Sequence, residues 1–394
     1  VVISALGIGQ IFAWGSSYYL PAVLAKPIAD STGWSLTWVV GGLSLGLAVA
    51  GLVSPWVGRR IERRGGRRVL AGSSVMLAAG LLMLALAQSL PVYFLGWLIV
   101  GLGMGAGLYD PAFATLGRLY GKAARSAITG LTLFGGFAST VCWPLSAFLV
   151  AQGGWRGACL AYAAFHLAVL LPLYLLALPD SAGPPASGAA ASDTEVVPGR
   201  PHARLLCGLL AVAITVSSMI STLVSVHLLT ILQSRGVSLA TSVALGALVG
   251  PSQVGARLVE LLIARYHHPI WTKLVATGLV TLGIAALWAG LPLLIVPLLC
   301  YGAGVGLESI ARGTLPLAMF AGPSYAARMG RLAMPSLMAQ AAAPSIGAAL
   351  LHAIGTRGTL TVLALVTGGN FLLALMLFAG LRYSPSISKA PSVV

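Results

Sequence analysis

The sequence is short of acid. Of its 394 residues only 8 are Asp or Glu, and charged residues of both signs make up just 8%. A soluble domain carries about 25%, so this chain cannot cover a water-facing surface. Cysteine is scarce too: Cys142, Cys159, Cys207 and Cys300 lie scattered in apolar stretches. Their spacing suits neither a disulfide framework nor a metal site, and they read as small packing residues. No His-Glu-x-x-His pattern, Cys/His cluster or nucleophile–base set is present. No cofactor, no metal and no enzymatic activity are expected. The chain starts at Val1 rather than Met, so a short preceding tail is expected. Its first apolar run is too long and too dotted with polar residues for a cleaved signal peptide.

What is abundant is apolar sequence. Hydrophobic residues make up 58% of the chain, and Gly occurs 49 times; Gly is commoner in membrane helices than in soluble ones. Crossing a bilayer takes about 20 apolar residues. Runs of that length recur twelve times, from 3–24 to 358–381. One segment, "PDSAGPPASGAAASDTEVVPGRPHA" (179–203), is rich in Pro, Gly, Ala and Ser. It cannot bury enough apolar surface to fold. The expected architecture is an all-α membrane protein of twelve transmembrane helices in two pseudo-symmetric six-helix bundles. The bundles are 1–178 and 204–381, with a cytoplasmic linker at 179–203 and a cytoplasmic tail at 382–394.

The net charge of +15 does not point to nucleic acid, because the basic residues cluster between apolar runs. With the N-terminus inside, 17 of the 23 fall on the cytoplasmic side, including Arg118, Arg125, Arg265 and Lys273. Lys26, Arg156, Arg235 and Arg357 fall outside, and Arg257 and Arg312 lie within helices. The positive-inside rule then places both termini in the cytoplasm. The lipid bilayer is the implied partner, with anionic headgroups facing the basic loops. A monomer is expected, and an inner-membrane location.

The chain also repeats itself. "GLGMGAGLYDPAF" (101–113) aligns with "GAGVGLESIARGT" (302–314) at an offset of 201, and the same offset carries "GWRG" (154–157) onto "GTRG" (355–358). A duplicated six-helix unit with parallel halves is a transporter plan, its site lying between the halves near the midplane.

The loop "GRRIERRGGRR" (58–68) resembles one of the major facilitator superfamily of secondary transporters. Gly58, Glu62, Arg63, Gly65 and Arg67 match its pattern, with Glu62 in place of Asp and Gly66 in place of a base. The resemblance implies a cytoplasmic gate motif that latches neighbouring helix ends. "GQIFAWGSSYYLPAVLAKPIADSTGWS" (9–35) and "GLGMGAGLYDP" resemble the monocarboxylate and oxalate–formate porter branch. That branch carries an Asp-x-x-x-Arg pair in its eighth helix, whose Arg binds a substrate carboxylate. Here "SQVGAR" puts Gln253 and Arg257 at those positions. The basic residue that oxalate–formate porters add in the eleventh helix is missing; only Gln340 and His352 stand there.

A charge at a helix centre costs about 2.5–3.5 kcal/mol on insertion scales. Asp110, Arg257, Glu260, Glu308 and Arg312 are therefore expected to face a wet cavity or a partner. Glu308 and Arg312 are four residues apart and can pair on one helix face. Glu260 is expected to orient Arg257 or to serve as a gate. Asp110 has no base nearby on its own helix, and the repeat puts it at the depth of Arg312. Asp110 and Glu308 are thus the candidates for proton coupling or for a switch. Gln10, Trp14 and Tyr18 form one helical stripe. Trp14, Tyr18, Tyr109, Gln253, Arg257 and Arg312 are the substrate-side candidates. Ser218, Ser221, Thr222 and Ser225 can either line the path or bond a neighbouring helix. The expected function is alternating-access transport of a small organic anion, a carboxylate, with coupling to protons. Two alternatives stand beside it: a proton-driven exporter of a neutral or cationic compound, and a non-transporting sensor on the same scaffold.

Overall fold

In a computed structural model of the chain, residues 1–180, 201–320 and 324–382 are described. Most of 179–203 and of 382–394 lies outside them. Helices with apolar residues on every face build the described part, as buried or lipid-facing helices require. Among the described residues, nine helical stretches are long and apolar enough to span a bilayer.

Two of the nine are too long for one passage. Ala124–Ala177 has 54 residues and Tyr325–Arg382 has 58, where a single crossing takes about 20. Each is interrupted at a glycine, Gly154 (φ 66°, ψ −179°) and Gly355 (φ 66°, ψ −177°). A positive φ with ψ near 180° is essentially confined to glycine and costs another residue about 1–3 kcal/mol, which is why glycine stands there. The chain folds back at Gly154: the Tyr162 hydroxyl is 2.7 Å from Ser146 Oγ and 3.3 Å from the Cys142 carbonyl. In a straight helix Ser146 and Cys142 would lie roughly 24 and 30 Å from Tyr162. Gly154 and Gly355 are the leading residues of the two repeated tetrads, so the sequence repeat marks two equivalent turns. The first crossing escapes the length criterion because it is split into Val2–Gly15 and Leu20–Thr32. With it, and with both hairpins opened, the described chain makes twelve crossings.

The two glycine ladders pack alike. A Cβ on Gly101 or Gly105 would strike the second crossing, Leu36–Arg64, at Gly46 O (2.5 Å) or Ala50 O (2.9 Å). One on Gly302 or Gly306 would strike the eighth, Leu239–Tyr266, at Val249 O (2.8 Å) or Gln253 O (2.5 Å). Gly103 and Gly304 face the third and ninth crossings, Arg67–Leu86 and Pro269–Trp288, in the same way, at Leu77 and Ala276. The fourth and tenth crossings, Leu90–Tyr120 and Ile295–Phe320, are thereby fixed close to their neighbours. Each then presents its polar residues, Asp110 or Glu308 and Arg312, towards the middle of the molecule.

Candidate transport site

A cavity of about 640 Å³ opens between the two halves. One wall is aromatic. The Trp14 ring lies 5.2 Å from that of Tyr18 and 5.1 Å from that of Tyr109, and Tyr19 reaches Trp143 at 6.1 Å. The break in the first crossing turns Tyr18 and Tyr19 inward, and side chains hold it. Ser17 Oγ donates to the Ala13 carbonyl at 2.5 Å, and Ser16 Oγ lies 2.8 Å from Nε2 of the buried His166. Gln10 anchors the stripe, donating to the Gly107 carbonyl (2.8 Å) and accepting the Trp14 indole N–H (3.1 Å). The opposite wall includes Ser218, Ser221, Thr222 and Ser225, so the seventh crossing, Arg204–Gln233, faces the path with these hydroxyls.

Arg257 lies at this cavity, only 4% exposed. Its Nε donates to the Gly306 carbonyl at 3.3 Å and one Nη2 hydrogen to Gln253 Oε1 at 3.2 Å. Nη1 crosses to the other half and donates to the Thr132 carbonyl at 3.0 Å. Space for it depends on Gly136, where any Cβ would overlap Nη1. No carboxylate among the described residues pairs with Arg257. A guanidinium has five N–H donors; three are engaged here, leaving one on Nη1 and one on Nη2.

The other intramembrane charges are arranged differently from the expectation. Glu308 and Arg312 do not pair with each other. Arg312 reaches across the halves to Asp110 with two bonds, Nη2–Oδ2 at 2.7 Å and Nε–Oδ1 at 2.9 Å, and also donates to Ser218 Oγ at 3.1 Å. Glu308 takes Lys273 Nζ at 2.5 Å. Lys273 was expected among the basic anchors at the membrane surface; it is 1% exposed. Its remaining donors go to Ser217 Oγ and the Ala213 carbonyl, and Asn370 joins through the same Ser217 hydroxyl. The physical reason is that side chains on neighbouring helices can meet head-on. An i, i+4 pair on one helix must instead lie along its surface.

Glu260 is not Arg257's partner either. Its carboxylate accepts from Thr272 Oγ1 at 2.7 Å and lies 3.4 Å from His267 Nε2 and 3.8 Å from Arg125 Nη2. Arg125 comes from the other half, so Glu260 stands at a contact between halves. Arg125 was another expected surface anchor, and it too is drawn inward.

The loop motif sits at this same end. The Glu62 carboxylate accepts the backbone N–H groups of Ala326 (3.0 Å) and Ala327 (3.3 Å), the first turn of the eleventh crossing. Such an N-terminus attracts anions. Gly58 crosses Gly330 so closely that a Cβ on Gly58 would lie 2.5 Å from the Ala326 carbonyl. Gly65 (φ 77°) ends the second crossing, Arg118 donates to the Glu62 carbonyl, and Arg67 lies 3.7 Å from Asp180. Arg63 is exposed. The cavity lining runs instead toward the opposite end, through Pro21, Val40, Trp143 and Leu228. This conformation is shut at the motif end.

Residues 6–311 match the family model of the Major Facilitator Superfamily. The chain belongs to the Major Facilitator Superfamily. Solved members share its fold. The human organic anion transporter MFSD10 (TETRAN) is 17% identical with a TM-score of 0.74, over 95% of this chain and 98% of that one. The proton:xylose symporter XylE is 14% identical with a TM-score of 0.70, over 97% and 94%. Among curated relatives, monocarboxylate transporter 13 of Bos taurus is 32% identical over 194 residues, 46% of this chain and 42% of that protein. Monocarboxylate transporter 11 of Mus musculus is 37% identical over 159 residues, 38% and 34%. The transcription regulatory protein OpdE of Pseudomonas aeruginosa is 31% identical over 170 residues, 42% and 40%. The chain spans less than half the length of each of these curated relatives.

Lys273, Asn370, Ser217, Thr132 and Gly136 escaped sequence reasoning. Lys273 lies next to a loop and looks like a topology signal, while the others carry no local pattern at all. Only the charge count inside the helices hinted at a missing base.

Proposed function

We propose that this major facilitator protein carries a small organic anion, a carboxylate, across the inner membrane by alternating access. The two halves, 1–178 and 204–381, rock about the central cavity. In this reading both termini and the Gly58–Arg67 loop are cytoplasmic, and the conformation described is open to the outside. One observation carries the proposal: Arg257 faces the cavity as a buried cation with no carboxylate partner among the described residues. A buried unpaired charge is costly, and a substrate carboxylate on its two unengaged donors would satisfy it. Arg suits such two-point binding because its donors form a planar fork. Trp14, Tyr18 and Tyr109 then enclose the apolar body of the substrate, and Gln253 holds the guanidinium in place. Arg312 is engaged by Asp110 in this state and becomes available to substrate only if that pair opens. Proton coupling is assigned to Asp110 or Glu308, each of which must shed its cation to take up a proton. The partial likenesses to monocarboxylate transporters agree with this cargo.

A cation exporter is less favoured, since Asp110 and Glu308 are both already neutralised. The likeness to OpdE keeps a sensor in view. Counterflow in proteoliposomes tests all three. Labelled monocarboxylates should exchange against unlabelled ones and raise the melting temperature of the purified protein. Exchange of amines or sugars instead would overturn the carboxylate reading, and exchange of nothing across the panel would favour the sensor.

A further inference from the structure

Five side chains meet where the halves touch at the motif end. Glu260 and Thr272 come from the second half, His267 and His268 from the loop between the eighth and ninth crossings, and Arg125 from the first half. Glu260 is only 4% exposed. Arg125 Nη1 donates to the His267 carbonyl at 2.5 Å, and its Nη2 stands 3.8 Å from Glu260.

Hydrogen bonding assigns the two adjacent imidazoles opposite states. His268 Nδ1 receives the Ile270 N–H at 3.2 Å, so that nitrogen bears a lone pair and His268 is neutral. Burial, with Arg125 and His267 beside it, pushes the His268 pKa below its ordinary value. His267 Nδ1 lies 3.2 Å from the His268 carbonyl oxygen. A carbonyl only accepts, so Nδ1 carries the hydrogen. In a neutral ring Nε2 would then aim a lone pair at Glu260 Oε2, 3.4 Å away. Two acceptors facing each other repel, and a proton between them removes the conflict. Thr272 cannot supply it, because its hydroxyl is committed to Glu260 Oε1.

We propose that His267 and Glu260 form a proton-binding site at the interface of the two halves, and that its occupancy decides whether Arg125 can leave. Without the proton, Arg125 is the cation at Glu260. Parting the halves would strand a buried carboxylate, which is strongly unfavourable. With the proton, His267 travels with Glu260 on the same half and keeps it compensated. Acid therefore favours opening of the motif end. The other charged groups around the cluster do not substitute for His267. Lys273 is taken by Glu308, and Arg265 lies over the Tyr266 ring. The site is separate from the cavity and independent of the cargo.

The test is a spin-label distance across the motif end without cargo. Labels are placed at Arg64→Cys and Tyr266→Cys, exposed positions on the two halves, in a chain whose native cysteines are replaced. Between pH 8 and pH 5, where an imidazole ordinarily gains its charge, the long-distance population should rise several-fold. His267→Gln should hold the short distance throughout, and His267→Lys, permanently charged, should give the long population even at pH 8. Either variant folding suffices for the comparison, since the two bracket the wild type. An unchanged pH response in His267→Gln, no response in the wild type, or a short distance in His267→Lys at pH 8 would overturn the proposal.

Discussion

Arg312 and Asp110 join the two halves of the molecule by a two-pronged ion pair, with contacts of 2.7 and 2.9 Å. They lie on the tenth and fourth crossings, at matching depth in the sequence repeat. Both are largely buried, with side chains 15% and 11% exposed. Cutting one partner from a buried pair costs about 3–5 kcal/mol. Arg312→Gln should lower the unfolding free energy by an amount in that range, read as a drop in the denaturant midpoint at unchanged slope, and abolish counterflow. Exchanging the residues, Arg312→Asp with Asp110→Arg, should recover most of the stability. If Arg312→Gln unfolds at the wild-type midpoint, the pair does not bind the halves together.

Lys273 and Glu308 give a second case, this time within one half. Lys273→Met leaves the largely buried Glu308 without its cation, and the variant should be destabilised by about 3–5 kcal/mol. Adding Glu308→Leu should restore stability, because an apolar pair of similar volume is often neutral or better. Transport should remain lost in the double variant if Glu308 handles a proton. Full counterflow and full gradient-driven accumulation in the double variant would reduce both residues to a packing role.

For Arg257, the conservative change is the informative one. Lys has no planar fork and cannot reach Thr132, Gln253 and a substrate at once. Arg257→Lys should fold and yet lose at least tenfold in carboxylate exchange, measured at equal protein incorporation. Gly136→Ala should act in the same direction, since a Cβ there overlaps Arg257 Nη1. Wild-type exchange by Arg257→Lys would remove the clamp from the mechanism.

The Gly58–Gly330 crossing has no room for a side chain on either residue. Gly330→Leu should push the second and eleventh crossings apart and hold the motif end open. Alkylation of a cysteine placed at Arg328, next to the crossing, should then run several-fold faster than in the parent. An unchanged rate would mean that the close approach does not set the closed state.

The turns at Gly154 and Gly355 should tolerate Ala poorly. Each substitution forces an L-residue to a positive φ with ψ near 180°, at a cost of about 1–3 kcal/mol. The effect should appear in thermal unfolding and should be similar at both sites, because the repeat places them equivalently and neither Cβ meets a neighbour.

The membrane class, the twelve crossings and the duplication were legible in the sequence because they are written locally. An apolar run of bilayer length has little alternative to a helix in lipid, since its backbone must bond to itself. A glycine ladder or a repeated turn likewise carries its own geometry wherever it falls. The resemblance to the transporter superfamily rested on one loop of eleven consecutive residues, 58–68, that holds Gly58, Glu62 and Gly65. Charge partners are another matter. Glu308 took Lys273 from the next helix rather than Arg312 from its own turn, and Arg312 took Asp110 from the other half. Glu260 faced Arg125 and His267, not Arg257. Composition requires that a buried charge find a partner, because desolvation is too costly otherwise. Which partner it finds depends on the facing of helices far apart in the chain, and only their packing decides that.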